Sequence, residues 1–112
     1  MPHQKQKHLL IKDLPKIERP REKLLKYGAD KLSDIELLAI LLRTGTKGKS
    51  VIELAKEIIE NAGGSFRGLA GKDISEITKI SGIKEAKVIT ISATLEIARR
   101  ISKQILKEKG II

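Results

Sequence analysis

Apolar residues along this chain recur at the spacing of an α-helix, and the alternating pattern typical of β-strands is missing. The clearest helical stripe consists of Val51, Leu54, Ala55, Ile58 and Ile59. Ile and Leu, with 18 and 14 copies, supply most of the apolar positions, whereas Val occurs only twice. The pattern therefore predicts an all-α domain, a bundle of five to six helices.

Capping signals indicate where these helices begin and end. Ser33 with Glu36, and Asp73 with Glu76, have the spacing of a capping box, in which each residue's side chain satisfies a free backbone amide of the other. The first helix should stop at Gly28 in a left-handed conformation. These signals and the apolar spacing predict helices over about residues 21–27, 33–44, 50–61, 65–70, 73–80 and 84–105.

The last of these helices carries apolar residues on two adjoining faces. One face consists of Val88, Ile91, Leu95, Ala98 and Ile105. The other consists of Ala86, Ile89, Ala93 and Ile97. So wide an apolar surface predicts that this helix is the central strut of the core.

The formal net charge of +9 is unevenly distributed along the chain. Residues 1–27 contain eight Lys or Arg against three acidic residues, residues 28–70 contain six against six, and residues 71–112 contain nine against five. Residues 1–19 have no periodic apolar face, which predicts a flexible basic arm ahead of a folded domain over residues 20–109. The positive excess favours a polyanionic partner such as nucleic acid.

Composition excludes several classes of function. A chain without cysteine has no disulfide or thiolate metal site, and one Tyr, one Phe and no Trp make a poor stacking platform for single-stranded bases. The longest apolar run, residues 37–42, is too short to span a membrane, and the basic amino terminus lacks the apolar core of a signal peptide, which favours the cytoplasm. Both histidines, His3 and His8, lie in the arm. We therefore expect no catalysis, no metal and no cofactor.

An internal repeat relates two helix–turn–helix units at an offset of 37 residues, with residues 44–47 aligned on residues 81–84. One unit cannot bury both of its helices alone, so the repeat predicts two tandem helix-hairpin-helix units related by a pseudo-twofold axis. Glycine permits the tight turn, and the free amides that open the next helix can point at a phosphate. The candidate DNA-binding residues are Thr44, Gly45, Thr46, Lys47, Gly48, Lys49, Ser81, Gly82, Ile83, Lys84 and Lys87.

Residues 45–50 end in Gly-Lys-Ser, as a nucleotide-binding P-loop does. That motif requires a glycine where this chain has Arg43, and it follows a strand where this chain has helical spacing. We interpret the segment as a hairpin turn with Ser50 at the start of the next helix, and expect no bound nucleotide. For both turns, a solvated loop with incidental lysines is the alternative to a phosphate contact.

Three stretches cover most of residues 13–101: RPREKLLKYGADKLSDIELLAILLRTGTKGKSVIELAKEII, GGSFRGLAG and ISEITKISGIKEAKVITISATLEIARR. They closely resemble the amino-terminal helical region of the bacterial RadC family, which carries the label UPF0758. The resemblance implies a fold like that of SAM domains and the second domain of RuvA, and an association with DNA repair. Many relatives have Gly-Ile-Gly in the second turn, whereas this chain has Gly82-Ile83-Lys84, so a lysine replaces the second glycine.

Members of that family usually continue into a JAB/MPN metalloprotease-like domain, whose H-x-H zinc motif this chain lacks. The resemblance implies that residues 110–112 begin the linker to that domain and that the present chain is not an enzyme. The leading prediction is a module that holds the phosphates of duplex or branched DNA without strong base specificity. The alternative is a protein-interaction or tethering module for the metal-dependent domain.

Overall fold

A computed structural model describes residues 19–80 and 83–112 of the chain. This part contains six α-helices: α1 (Pro20–Tyr27), α2 (Asp34–Leu42), α3 (Val51–Asn61), α4 (Phe66–Ala70), α5 (Ile74–Thr78) and α6 (Glu85–Glu108). One turn of 3₁₀-helix, Ala29–Lys31, follows α1. No β-strand forms within the described residues, so the predicted all-α class is confirmed. The predicted arm lies outside them, apart from Arg19.

Capping boxes begin three of the described helices, because their first amides have no partner within the helix. At α2, the Glu36 amide donates to the Ser33 hydroxyl at 3.1 Å and the Ser33 amide donates to the Glu36 carboxylate at 2.9 Å. The predicted box at the start of α5 is also present. A third box, which was not predicted, joins Ser50 and Glu53 at the start of α3.

The ends of α1 and α2 differ in detail from the predictions. Gly28 has positive φ as predicted, but its angles of 95° and 156° are extended rather than left-handed helical. Only glycine adopts this region without strain. The second helix ends at Leu42, two residues before the predicted end, because the backbone reverses direction at Arg43.

The hydrophobic core lies between α2, α3 and the first half of α6. Helix α2 packs against α1, α3 and α6, while α4 packs against α3 and α5 against α6. Burying one Leu or Ile side chain completely contributes about 1.5–3 kcal/mol, which makes these contacts the main source of stability. The largest fully buried side chains are Leu38, Leu54, Ile58, Leu69, Ile77 and Ile91.

Helix α6 is buried along only part of its length. Val88 and Ile91 are in the core, whereas Ile97 is 59% exposed and Ile101 is 55% exposed. The predicted central strut of the core is therefore confined to the first half of the helix. The reason is length: 24 residues of α-helix extend roughly 36 Å, and the nine-residue α2 extends roughly 14 Å. The second half of α6 has no helix of matching length to pack against it among the described residues.

The predicted 37-residue repeat appears in the burial pattern but not in the helix boundaries. Val51 and Leu54 are buried, and so are Val88 and Ile91 at the repeated positions. Yet α3 begins at Val51, whereas α6 begins at Glu85, ahead of Val88. The two turns therefore have different lengths. The tandem helix-hairpin-helix arrangement and its pseudo-twofold axis stay predictions.

Candidate nucleic-acid interface

The α2–α3 turn, which contains the first set of candidate residues, opens with a strained backbone. Arg43 has φ 69° and ψ −48°, and the Thr44 amide donates to the Leu42 carbonyl at 2.8 Å. This bond closes a γ-turn of the positive-φ form, which is rare because it crowds the central side chain. This γ-turn ends α2 and turns the chain toward α3.

The tip of this turn is a two-residue reversal between Thr46 and Lys49. The Thr46 amide donates to the Lys49 carbonyl at 3.0 Å, and the Lys49 amide donates back to the Thr46 carbonyl at 2.9 Å. Gly48 has φ 85°, which is the conformation that the third position of a type II turn requires. Lys47 is exposed at the tip. The turn therefore presents one lysine directly to solvent.

Gly45 allows the two ends of the turn to lie against each other. A Cβ atom at this position would lie 2.2 Å from the Lys49 carbonyl oxygen and 2.6 Å from the Ser50 carbonyl carbon. Both are backbone atoms at the start of α3, so neither can move aside easily. The close approach that this glycine permits is between two segments of the protein's own backbone.

Lys87 of α6 connects the second set of candidate residues to the first. Its ammonium group donates to the Leu42 carbonyl oxygen at 3.0 Å and to the Thr44 hydroxyl at 3.0 Å. The Leu42 carbonyl thus accepts from both Lys87 and Thr44, and the strained γ-turn is held from both sides. The ammonium group of Lys87 thus lies at the C-terminus of α2, where a positive charge interacts favourably with the dipole of that helix. This contact brings the start of α6 beside the α2–α3 turn.

Two residues of the Gly-Lys-Ser segment have structural partners. Lys49 forms an ion pair with the Glu57 carboxylate of α3. Ser50 is only 5% exposed and caps α3 through its hydroxyl group. The preceding element is the helix α2 rather than a strand, which a P-loop would require. The interpretation of Ser50 as a helix-start residue is confirmed.

The second turn is described only from its flanks, since Ser81 and Gly82 lie outside the described residues. Ile83 is 9% exposed, and its amide donates to the Ile80 carbonyl at 3.2 Å. Lys84 is exposed at the N-cap of α6, where no side chain caps the helix. Glu85 is the acidic residue in the first turn of α6, close in sequence to the free backbone amides that begin this helix. Of the described flanking residues, Ile83 lies in the core and Lys84 faces solvent.

Two carboxylates with lowered pKa values, Asp73 and Glu96, stabilise a helix start and a pair of ion pairs. The Ser75 hydroxyl and the Glu76 amide donate to Asp73 and hold the pKa of its carboxyl below the ordinary value. In α6, Arg100 and Arg99 lower the pKa of Glu96 in the same direction. Within residues 19–80 and 83–112, no three His, Asp or Glu side chains are grouped to hold a metal ion. No helix in these two ranges is long and apolar enough to cross a membrane.

Sequence reasoning missed the γ-turn at Arg43 and the role of Lys87 as its partner. Local sequence contains no signal for the γ-turn at Arg43, because this backbone conformation depends on how α3 and α6 pack. Lys87 is 45 positions from Leu42 and 43 positions from Thr44 in the chain, so these contacts depend on the tertiary fold. The available sequence signal was the 37-residue repeat, which selected the turn at residues 44–47 and the turn at residues 81–84 together.

Comparison with known proteins supplies the family. The family model described as UPF0758 N-terminal matches residues 11–89. A UPF0758 protein of Clostridium botulinum (strain Alaska E43 / Type E3) is 52% identical over 95 residues, which cover 82% of this chain and 40% of the relative. UPF0758 proteins of Geobacillus thermodenitrificans and Bacillus licheniformis are 46% and 47% identical, and the alignments cover 92% and 91% of this chain. No solved structure is significantly similar.

These relatives are much longer than the region that matches. The aligned residues make up 40–45% of their length, and the matching family model is the N-terminal one. Because the family model matches well over half of the chain, this chain belongs to the UPF0758 family and corresponds to its N-terminal region.

Proposed function

We propose that this chain is a non-enzymatic DNA-binding module of a RadC-like protein associated with DNA repair. It would hold the phosphates of duplex or branched DNA through the α2–α3 turn and the turn before α6. Contacts of this kind position a protein on DNA and read little of its sequence. The module would need neither metal nor nucleotide.

The observation that carries this proposal is the contact of Lys87 with the end of α2. Its bonds to Leu42 and Thr44 bring the start of α6 next to the α2–α3 turn. Lys47 and Lys84 are both exposed on these two segments. Two adjacent turns with exposed lysines offer a phosphate-binding surface that either turn alone would lack.

The structure also divides the candidate residues by role. Lys49 pairs with Glu57, and Lys87 donates to backbone and hydroxyl oxygens. These contacts favour a supporting role for Lys49 and Lys87. Lys47 and Lys84 are then the residues we expect to meet phosphate directly.

An amide NMR titration with a short duplex tests the proposal. We expect chemical-shift changes centred on residues 44–49 and 83–87. Phosphate contacts by Lys47 and Lys84 would contribute about −1.8 to the slope of log affinity against log salt concentration, since each contact contributes about −0.9. The double variant Lys47→Gln with Lys84→Gln should weaken binding about tenfold.

A matched control replaces two exposed lysines elsewhere, Lys31→Gln with Lys56→Gln. This variant loses the same charge, so binding by net charge alone would weaken equally in both. Equal weakening, an affinity independent of salt, or no binding to duplex and branched DNA at 50 mM salt would each contradict the proposal.

The second candidate function is a tethering module for the metalloprotease-like domain that the resemblance implies. The exposed apolar residues on the second half of α6, including Ile97 and Ile101, favour it. Charge reversal at Lys47, Lys49, Lys84 and Lys87 would then leave function intact. Polar substitutions on the exposed apolar face would abolish it. The DNA-binding proposal predicts the opposite: charge reversal of the four lysines abolishes function, and polar substitutions on the exposed apolar face leave it intact.

A further inference from the structure

A groove with a volume of about 640 Å³ runs along α6, beside α2 and α4. Its floor is apolar and closed, formed by Leu38, Leu69 and Ile91, each 1% exposed. Its wall along α6 is formed by Leu95, Ala98 and Leu106. None of the candidate DNA-binding residues lines it. The groove is therefore a separate feature of the molecule.

The groove is long enough to hold a helix. From Ile91 to Leu106, α6 rises roughly 22 Å at 1.5 Å per residue. An α-helix of about 15 residues, or four turns, has the same length. An elongated apolar groove between helices is the form that takes an amphipathic helix by its apolar stripe.

The charged residues that line the groove are all basic among the described residues: Arg67, Arg99 and Lys103. Arg99 is fixed there, because its guanidinium donates to the Ala70 carbonyl at 2.9 Å across the gap between α4 and α6. Glu96 pairs with Arg99 but does not line the groove. The rim therefore favours acidic residues on whatever binds.

A second copy of this chain fits the groove poorly. A twofold interface brings the same surface of both copies together, so the basic set on one copy would face the basic set on the other. Like charges across an interface oppose association. A flat lipid surface fits less well still, because the apolar floor lies at the bottom of a concave channel.

We propose that this groove binds an amphipathic α-helix of a partner protein, whose apolar stripe is flanked by acidic residues. The apolar stripe covers the floor and the α6 wall. The acidic flanks meet Arg67, Arg99 and Lys103. This ligand is different from DNA and occupies a different surface.

The probe is a synthetic 18-residue helix with Leu at i, i+3, i+4 and i+7 spacing and Glu on both flanks. Its matched control has the same Leu residues and Lys in place of every Glu. Titrated into the full chain and followed by amide NMR, the Glu-flanked peptide should shift residues 66–70 and 91–106. The Lys-flanked peptide should bind at least tenfold more weakly.

Two alanine variants locate the site. Ala98 lines the groove and Ala93 does not, and both are exposed on α6. Ala98→Glu puts an acid into the groove and should weaken binding of the Glu-flanked peptide at least tenfold. Ala93→Glu makes the same change in charge outside the groove and should alter binding less than threefold. Thermal unfolding of both variants checks that the fold is kept.

Lys47→Gln with Lys84→Gln separates this proposal from DNA binding, since it should leave peptide affinity unchanged. The proposal is overturned if the Glu-flanked peptide does not bind, or if the two peptides bind equally. Equal effects of the two alanine variants would also overturn it. So would dimerisation through residues 91–106, or preferential binding of the groove to vesicles of anionic phospholipid.

Discussion

At the scale of single residues, Gly45 shows how a turn glycine can be required by the protein itself. Gly45→Ala places a methyl group 2.2 Å from the Lys49 carbonyl oxygen, which is backbone and cannot rotate away. We expect a loss of about 2–3 kcal/mol in the free energy of unfolding, measured by urea denaturation.

The matched control for this substitution is Gly71→Ala. Gly71 has φ −86°, and the nearest contact of an added Cβ is 3.6 Å away, an ordinary van der Waals distance. This variant should change stability by less than about 0.5 kcal/mol. Similar losses in both variants would show that the backbone of the α2–α3 turn is not packed as described.

Glu36 connects a helix cap to a neighbouring helix, and its protonation state should affect stability. Partial burial acts to raise its pKa, but the Ser33 amide and Lys23 lower it more, so the net pKa is below the ordinary value. The ammonium group of Lys23 lies 2.9 Å from the carboxylate. Because the folded-state pKa is lowered, the carboxylate stabilises the fold above about pH 4, and this contribution is lost as pH falls through the folded-state pKa.

Glu36→Gln keeps a residue that can complete the capping box but removes the ion pair. At pH 7 we expect it to lower the free energy of unfolding by about 0.5–1 kcal/mol. The difference from the original protein should vanish once the pH has fallen below the folded-state pKa of Glu36. Glu60→Gln, an exposed change on α3, serves as control in the same thermal melts. A deficit that persists at low pH would contradict the assigned charge effect.

At the scale of helices, one side chain at the start of α6, that of Lys87, makes two hydrogen bonds to the end of α2 and the residues after it. Lys87→Met keeps the length of the aliphatic chain but removes both hydrogen bonds, to Leu42 and to Thr44. We expect a loss of about 1 kcal/mol in stability and faster amide hydrogen exchange in residues 44–49, because the strained γ-turn loses its partner.

Lys84→Met is the control, since Lys84 lies on the same helix start but is exposed. It should leave both stability and exchange nearly unchanged. If the two variants behave alike, Lys87 does not support the turn.

The helices also show what the sequence can and cannot predict. The capping boxes at α2 and α5 depend on residues three positions apart, so local sequence was enough to locate these helix starts. Burial along α6 depends on how far the neighbouring helices extend, and the periodicity of apolar residues within α6 holds no information about that length. An apolar stripe such as Ile97 and Ile101 looks the same in sequence whether it is covered or exposed.

In the candidate site, too, one part could be predicted from the sequence and another part could not. Glycine and lysine spacing selected the α2–α3 turn and the start of α6. In the structure the Lys87 ammonium group donates to the Thr44 hydroxyl, so these two segments are neighbours. The sequence could not distinguish a lysine that meets solvent from one that pairs with Glu57. That distinction requires the orientation of each side chain.

At the scale of the whole molecule, the question is which part of the +9 charge attracts DNA. A chain with this excess is drawn to polyanions wherever the charge lies, so affinity alone is weak support for binding at the turns. The arm contains Lys5 and Lys7, and the turns contain Lys47 and Lys84. Neutralising either pair with Gln removes the same charge.

If the turns hold phosphate, Lys47→Gln with Lys84→Gln should lower the magnitude of the salt slope by about 1.8, since each lost contact contributes about 0.9. Lys5→Gln with Lys7→Gln should weaken binding only a few-fold, with the slope nearly unchanged. Fluorescence anisotropy with a labelled duplex at several salt concentrations gives both slopes. The reverse ranking would assign the attraction to the arm, and the two turns would then be connections between helices rather than a binding surface.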